Sequence, residues 1–310
     1  MHLFIYSELE QHQQAYLTKQ LPSGLVPFFY NPSTQENGLE SFSKAKLLFG
    51  NPPADWFNSA PAGLKFWQLE SAGFEQYQQL QLSAKVANMG DFFAMACAET
   101  MVAGILALYR GLPTLLRLQD AKSWQGKKVR FTLDLLSEKT ALVLGAGTIG
   151  KATKKILEGF GTQVKMTARQ NPEADIHSKE ELFQRLPQAD IVVNTLPGNA
   201  GKYVSAEFIR QMKKGSIYAN VGRGTTTDEQ ALISALQEGH LAGAVLDVTE
   251  TEPLPQDSPL WQMENVLLTQ HTGGGQANEV ERKIDRFLAN LKRFLAGEEI
   301  LGQVNLSQGY

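Results

Sequence analysis

The sequence predicts an α/β protein in which a doubly wound parallel sheet is inserted into a smaller α/β unit. From about Phe92 onward, short apolar runs alternate with helical stretches, the pattern of parallel strands buried on both faces. One run, Ala141–Leu144, leads directly into Gly145, Gly147 and Gly150 and then into a helical pattern. The tail, Glu279–Ala296, repeats Val280, Ile284, Phe287, Leu288, Leu291, Phe294 and Leu295 at helical spacing, and this helix is expected to return to the first unit. A chain of 310 residues is long enough for about two domains.

In chain order, the first ninety residues carry short strand candidates at Leu3–Tyr6, Leu47–Phe49 and Phe66–Leu69, separated by turns rich in Pro, Gly and Asn. Residues 1–91 with 278–310 are assigned to one domain and 92–277 to the other, so that two crossings form a hinge and the cleft between the domains is the natural ligand site. Phe92 to Tyr109 is almost wholly apolar and near the length of a membrane span. Glu99 sits near its middle, however, where an acid is costly in lipid. Asn88-Met-Gly-Asp91 supplies helix-start chemistry with Asp91 as the expected cap, so the segment reads as a long buried helix between domains, between subunits, or both. Strands are expected at Ala141–Leu144, Gln163–Thr167, Ile191–Asn194, Ser216–Asn220, Ala244–Asp247 and Val266–Thr269. Helices include Ser205–Lys213 and Asp228–Glu238; the latter opens on the capping-box pattern Thr227-Asp-Glu-Gln230 and ends at Gly239.

Composition narrows the function. A formal net charge of −3 without a basic block argues against a general nucleic-acid or membrane-surface binder. The single cysteine, Cys97, lies in an apolar run and forms no internal disulfide; a buried inert thiol suits a reducing cytoplasm. The N-terminus lacks the basic start and long apolar region of a signal peptide. No metal is expected.

The chemistry lies at strand ends, because ligands of an open parallel sheet sit beyond the carboxyl ends of its strands. In Gly145-Ala-Gly-Thr-Ile-Gly150 the first glycine permits a tight turn, the second lets the backbone approach a pyrophosphate, and the third lets helix pack on strand. Free N–H groups of the following helix start, Thr148 and Ile149 included, point at the phosphates. A dinucleotide is therefore the expected cofactor. Val221-Gly-Arg-Gly224 places Arg223 between glycines after one strand, Asp247 follows the next, and Gln270-His271 before Thr272-Gly-Gly-Gly275 follows the last. Arginine, acid and histidine at one sheet edge suit reduction of a 2-keto acid. Arg223 would hold the carboxylate and polarise the carbonyl, His271 would deliver a proton, and a hydride would arrive from a nicotinamide.

These motifs, with Asn220-Val-Gly-Arg-Gly224, Leu246-Asp-Val-Thr-Glu-Thr-Glu-Pro-Leu-Pro255 and Asn265-Val-Leu-Leu-Thr-Gln-His271, resemble the D-isomer-specific 2-hydroxyacid dehydrogenases in order and spacing over roughly Leu64 to Gly275. The resemblance implies a Rossmann cofactor domain inserted into a flavodoxin-like substrate domain. It implies Arg223, Glu252 and His271 as the catalytic set, with Glu252 pairing with His271. Ala72 and Gly73, in Ser71-Ala-Gly73, would bind the substrate carboxylate together with Arg223. The cofactor surface would also take in Leu196, Pro197, Val221, Gly222, Gly273 and Asp247, the last at the nicotinamide carboxamide. A homodimer is implied, with the helix from Phe92 at its boundary. The family usually has proline before the histidine; this chain has Gln270.

The second strand of an NAD site usually ends in an acid about 20 residues past the glycines. Here Val164-Lys-Met-Thr167 is followed by Ala168-Arg169-Gln170, and Arg169 suits a 2′-phosphate. NADP(H) is the expected cofactor, with NAD(H) as the alternative; Thr167-Ala-Arg-Gln170 also resembles NADPH-linked glyoxylate/hydroxypyruvate reductases of the family. The expected reaction passes hydride from NADPH to glyoxylate, hydroxypyruvate or a similar acid to give the D-hydroxy acid. The alternatives are an NAD-dependent biosynthetic dehydrogenase of phosphoglycerate or erythronate type, and a non-catalytic nicotinamide-sensing binding protein.

Overall fold

The computed structural model describes residues 1–31, 38–59 and 61–308. The chain divides into two compact units, Met1–Phe93 with Gln276–Tyr310, and Ala94–Gly275. The first contains strands β1 (His2–Tyr6), β2 (Val26–Tyr30), β3 (Leu47–Gly50), β4 (Phe66–Gln68) and β5 (Lys85–Ala87); the second contains β6 (Thr140–Leu144), β7 (Gln163–Thr167), β8 (Ile191–Asn194), β9 (Ser216–Asn220), β10 (Leu241–Leu246) and β11 (Val266–Leu268). The C-terminal tail returns β12 (Gln303–Val304) to the first.

The first sheet runs β12-β5-β4-β3-β1-β2, parallel except for β12. Without β12 this is the 2-1-3-4-5 order of flavodoxin-like sheets. Leu3, Phe4 and Ile5 of β1 are fully buried because both faces are covered. On one face the helix Glu279–Leu295 lays Ile284, Phe287 and Leu291 against the strands, with Phe287 stacked on Phe49 at 4.7 Å. Burying each such side chain contributes about 1.5–3 kcal/mol. Asn290 of the same helix is buried and donates to Gln68 Oε1 at 2.7 Å and to the Leu301 carbonyl at 2.8 Å, tying the helix to β4 and to the tail.

Several elements escaped the sequence reading. β2 contains Pro27, tolerated because β2 is an edge strand. β5 and β12 span only three and two residues. The helix Gln11–Gln20 is largely polar and buries little besides Leu17 and Gln13. Asp91 pairs with Arg286 at 2.9 Å, and the long helix begins at Ala94 rather than directly after Asp91. Phe92 and Phe93 sit with the first unit, facing the Arg282 and Lys283 cations at 5.7 and 5.4 Å from their ring centroids.

The second sheet runs β11-β10-β9-β8-β6-β7, wholly parallel. A single parallel bridge, Thr167 to Ile176, adds a vestigial strand outside β7. With it the order is the 3-2-1-4-5-6 of a Rossmann sheet, extended by β11. Helix Ala94–Tyr109 lies on this sheet so closely that a Cβ on Gly104 would come within 2.5 Å of Val245 Cγ1. Its Cys97, Ala98, Met101, Val102 and Ile105 are buried, whereas Met95 is exposed. Among the described residues no single helix is long and apolar enough to cross a membrane.

Candidate active site

Two of the three fingerprint glycines are required by the protein itself. Gly145 has φ +105°, and a Cβ there would lie 2.8 Å from Thr195 Oγ1; a Cβ on Gly150 would lie 2.2 Å from the Gly145 carbonyl. Gly147 differs. Its φ is −80°, and a Cβ would meet nothing within 4 Å. It caps the helix Thr148–Gly159 without a side chain to offer the first-turn N–H groups of Thr148, Ile149 and Gly150. Bare backbone at a helix start, where packing does not demand a glycine, fits the close approach of a dinucleotide pyrophosphate.

Beyond β7, Arg169 and Gln170 are exposed. Asn171 Nδ2 donates to the Ala146 carbonyl at 2.8 Å and ties this corner to the glycine loop. Burial pushes the Tyr203 phenol pKa up, and the Arg169 charge opposes the rise.

Strands β8 and β9 both end in buried asparagines, Asn194 and Asn220. Each Oδ1 accepts an N–H two residues on, from Leu196 and Gly222 respectively, both at 3.0 Å. A Cβ on Gly222 would lie 2.3 Å from the Leu196 carbonyl, so Leu196-Pro197 and Val221-Gly222 press together. Beneath them Asn194 Nδ2 donates to Tyr218 and Thr226, Asn220 Nδ2 donates to Thr227, and the Tyr218 and Thr227 hydroxyls share a hydrogen bond. The Thr226 hydroxyl donates to the Arg223 carbonyl at 2.6 Å. This buried network holds the loop that carries half-buried Arg223. It was not read from the sequence, although asparagine ending two successive apolar strands was a usable signal.

At the end of β10, buried Asp247 accepts the Thr269 hydroxyl at 2.6 Å and the Gly273 N–H at 2.8 Å on Oδ1. A Cβ on Gly273 would come within 2.8 Å of Asp247 Oδ2. Cys97 lies within the fields of both Asp247 and Arg223; burial pushes its thiol up to about 11, Asp247 adds to the rise, and Arg223 opposes it. The thiol is therefore protonated and inert. His271 Nδ1 and Glu252 Oε2 are 2.7 Å apart, and Glu252 Oε1 accepts the Thr249 N–H at 3.1 Å. Leu254, Trp261, Leu268 and Gln270 join this pair around a cavity of about 390 Å³.

In the first unit, the loop after β4 contains Ala72 and Gly73. The Ser71 carbonyl accepts from Met89 N–H at 3.0 Å, the Ala72 carbonyl from Asn88 Nδ2 at 2.6 Å, and the Gly73 carbonyl from Ser71 Oγ at 2.6 Å. Asn51 clamps the loop from both amide ends, on the Glu70 N–H and the Ser71 hydroxyl. Three carbonyls are thus turned to protein partners. Neither Asn88, which holds the Ala72 carbonyl, nor Asn51 is linked to this loop by any local sequence pattern.

A Rossmann sheet with a bare glycine loop, and with an imidazole–carboxylate pair at its carboxyl edge, defines an NAD(P)-dependent oxidoreductase. The family described as D-isomer specific 2-hydroxyacid dehydrogenase, NAD binding domain, matches residues 102–273. An uncharacterised protein of Corynebacterium melassecola is 34% identical over 88% of this chain and 92% of its own. Glyoxylate/hydroxypyruvate reductase B of Yersinia pestis is 31% identical over 87% of this chain and 85% of its own. A D-isomer specific 2-hydroxyacid dehydrogenase of Xanthobacter autotrophicus, solved with NADPH and MES, is 29% identical and superposes with a TM-score of 0.83 over 100% of this chain and 99% of that one. The chain belongs to the D-isomer specific 2-hydroxyacid dehydrogenase family.

Proposed function

We propose that this protein reduces small 2-keto acids, glyoxylate and hydroxypyruvate first among them, to D-2-hydroxy acids with NADPH. The observation that carries the reading is the 2.7 Å His271–Glu252 pair after β11, beside the strand ends that bear Asp247 and Arg223. His271 delivers a proton from Nε2 to the keto oxygen, while Glu252 engages Nδ1 and orients the ring. Arg223 binds the carboxylate and polarises the carbonyl. Bound NADPH supplies the hydride to the keto carbon. Gly145, Gly147, Thr148, Ile149 and Gly150 would hold its pyrophosphate, Asp247 would meet its carboxamide, and Leu196, Pro197, Val221, Gly222 and Gly273 would line its site. The name of the Yersinia pestis relative supports the substrate class.

Preference for NADPH is supported by exposed Arg169 and Gln170 at the end of β7, where an NAD site would carry an acid, and by the NADPH-bound relative. A homodimer is supported by large apolar side chains exposed between 112 and 135, Trp124 at 99% and Phe131 at 78% among them. The location is cytoplasmic, consistent with the single buried thiol. NADPH oxidation followed by its absorbance, with a panel of keto acids, tests the activity. Absence of turnover in protein that binds NADPH overturns it, as does full activity in both His271→Ala and Arg223→Ala.

A further inference from the structure

Thr269 to Thr272 form a β-turn in which the Thr272 N–H donates to the Thr269 carbonyl at 3.0 Å and the Thr272 hydroxyl donates to the same oxygen at 2.6 Å. Both central residues are left-handed, Gln270 at φ +52° and His271 at φ +57°. Two successive positive φ angles are the mark of a type I′ turn, a conformation dominated by Gly, Asn and Asp. Here a glutamine and the imidazole itself occupy it. Proline, with φ held near about −65°, has no place at the first central position of such a turn.

The turn is anchored to the end of β10 by four hydrogen bonds. Thr269 N–H donates to the Leu246 carbonyl at 3.0 Å, and the Thr269 hydroxyl to Asp247 Oδ1 at 2.6 Å. His271 N–H donates to the Asp247 carbonyl at 2.6 Å, and Gly273 N–H to Asp247 Oδ1 at 2.8 Å. With the backbone fixed on both sides of residue 271, the hand of the turn decides the direction in which the His271 side chain leaves the chain, and that direction leads to Glu252. We infer that Gln270 is a positioning residue: by accepting a left-handed backbone it lets the 269–272 turn aim His271 at Glu252, a device different from a rigid proline at the same place.

The inference rests on His271 being the proton donor. It is tested in the full-length protein with Gln270→Gly, Gln270→Asn, Gln270→Val and Gln270→Pro, measuring kcat and KM for hydroxypyruvate and Kd for NADPH. Gly and Asn, which accept φ near +50°, keep kcat. Val and Pro, which do not, lose it, by about 10²-fold for a displacement of about 1 Å, with NADPH Kd unchanged. Wild-type kcat in Gln270→Val and Gln270→Pro overturns the inference, and so does an equal loss in Gln270→Gly and Gln270→Val. If Gln270→Pro does not fold, the contrast between Gly and Val decides. His271→Asn separates the two levels: retained activity there sinks the proton-donor reading itself, whereas an inactive His271→Asn beside an active Gln270→Val sinks only the role of the turn.

Discussion

Gly147→Ala separates a glycine kept for a ligand from glycines kept for the fold. At φ −80° and ψ −171° alanine is unstrained, and its methyl would meet no atom within 4 Å. As a helix cap, alanine is worse than glycine by about 0.5–1 kcal/mol. Restricting the unfolded chain returns about 0.4–1 kcal/mol. The two nearly cancel, so the melting temperature of the cofactor-free protein should move by no more than about 2–4 °C. Cofactor binding should not be spared. A methyl on the backbone that a pyrophosphate approaches displaces it from the helix-start N–H groups, and losing one charge-assisted hydrogen bond costs about 1.5–3 kcal/mol. That is about 10-fold to 10²-fold in the NADPH dissociation constant. Gly150→Ala should behave in the opposite sense, because its methyl would sit 2.2 Å from the Gly145 carbonyl and the fold must shift to admit it. Thermal melts without cofactor and fluorescence titration with NADPH measure both quantities. Wild-type affinity in Gly147→Ala, or a large loss of its stability, would refute the reasoning.

Arg169→Ala should weaken NADPH by about 10-fold or more while leaving NADH unchanged, since only the 2′-phosphate uses a charge-assisted contact there; parallel titrations check it. Asn290→Leu should destabilise the first unit by about 3 kcal/mol, because it strands buried partners at Gln68 and Leu301, and denaturant unfolding reads this directly. Asp190 supplies a pH test. Burial alone would raise its carboxyl, but the Lys213 ammonium and the N–H and hydroxyl of Thr140 outweigh burial and hold it below the usual carboxylate range. A depressed folded pKa means stability that is present above the unfolded value of about 3.9 and lost as pH falls through the folded value. Asp190→Asn should therefore lower the melting temperature by a constant amount at neutral pH, and the gap from wild type should close in acid below about pH 4.

How much was legible differs between the two units. In the second unit, Arg223, Asp247 and His271 lie within three residues of the ends of β9, β10 and β11, and local sequence reports such apolar strands well. β7, β8 and β9 have the bounds that their residue patterns predict, and Arg223 and His271 stand just past strand ends. The vestigial strand at Ile176 was invisible because one bridge leaves no apolar run. In the first unit, β5 and β12 are too short to show a period, and β2 reads as a loop because of Pro27. Long-range polar partners such as Asn88 with Ala72, or Asn290 with Gln68, leave no local pattern at all.

By itself the sequence determined the α/β class, the glycine loop and the chemical types at the strand ends, because these depend on periodicity and on which side chains exist. Only the tertiary structure decided that Gly147 alone among the three glycines has no packing reason, that asparagines ending β8 and β9 knit a hydrogen-bonded floor under Arg223, and that Gln270 and His271 share a left-handed turn. The physical reason is that these depend on distances between segments far apart in the chain and on the sign of a backbone dihedral, neither of which a pattern of residue types encodes.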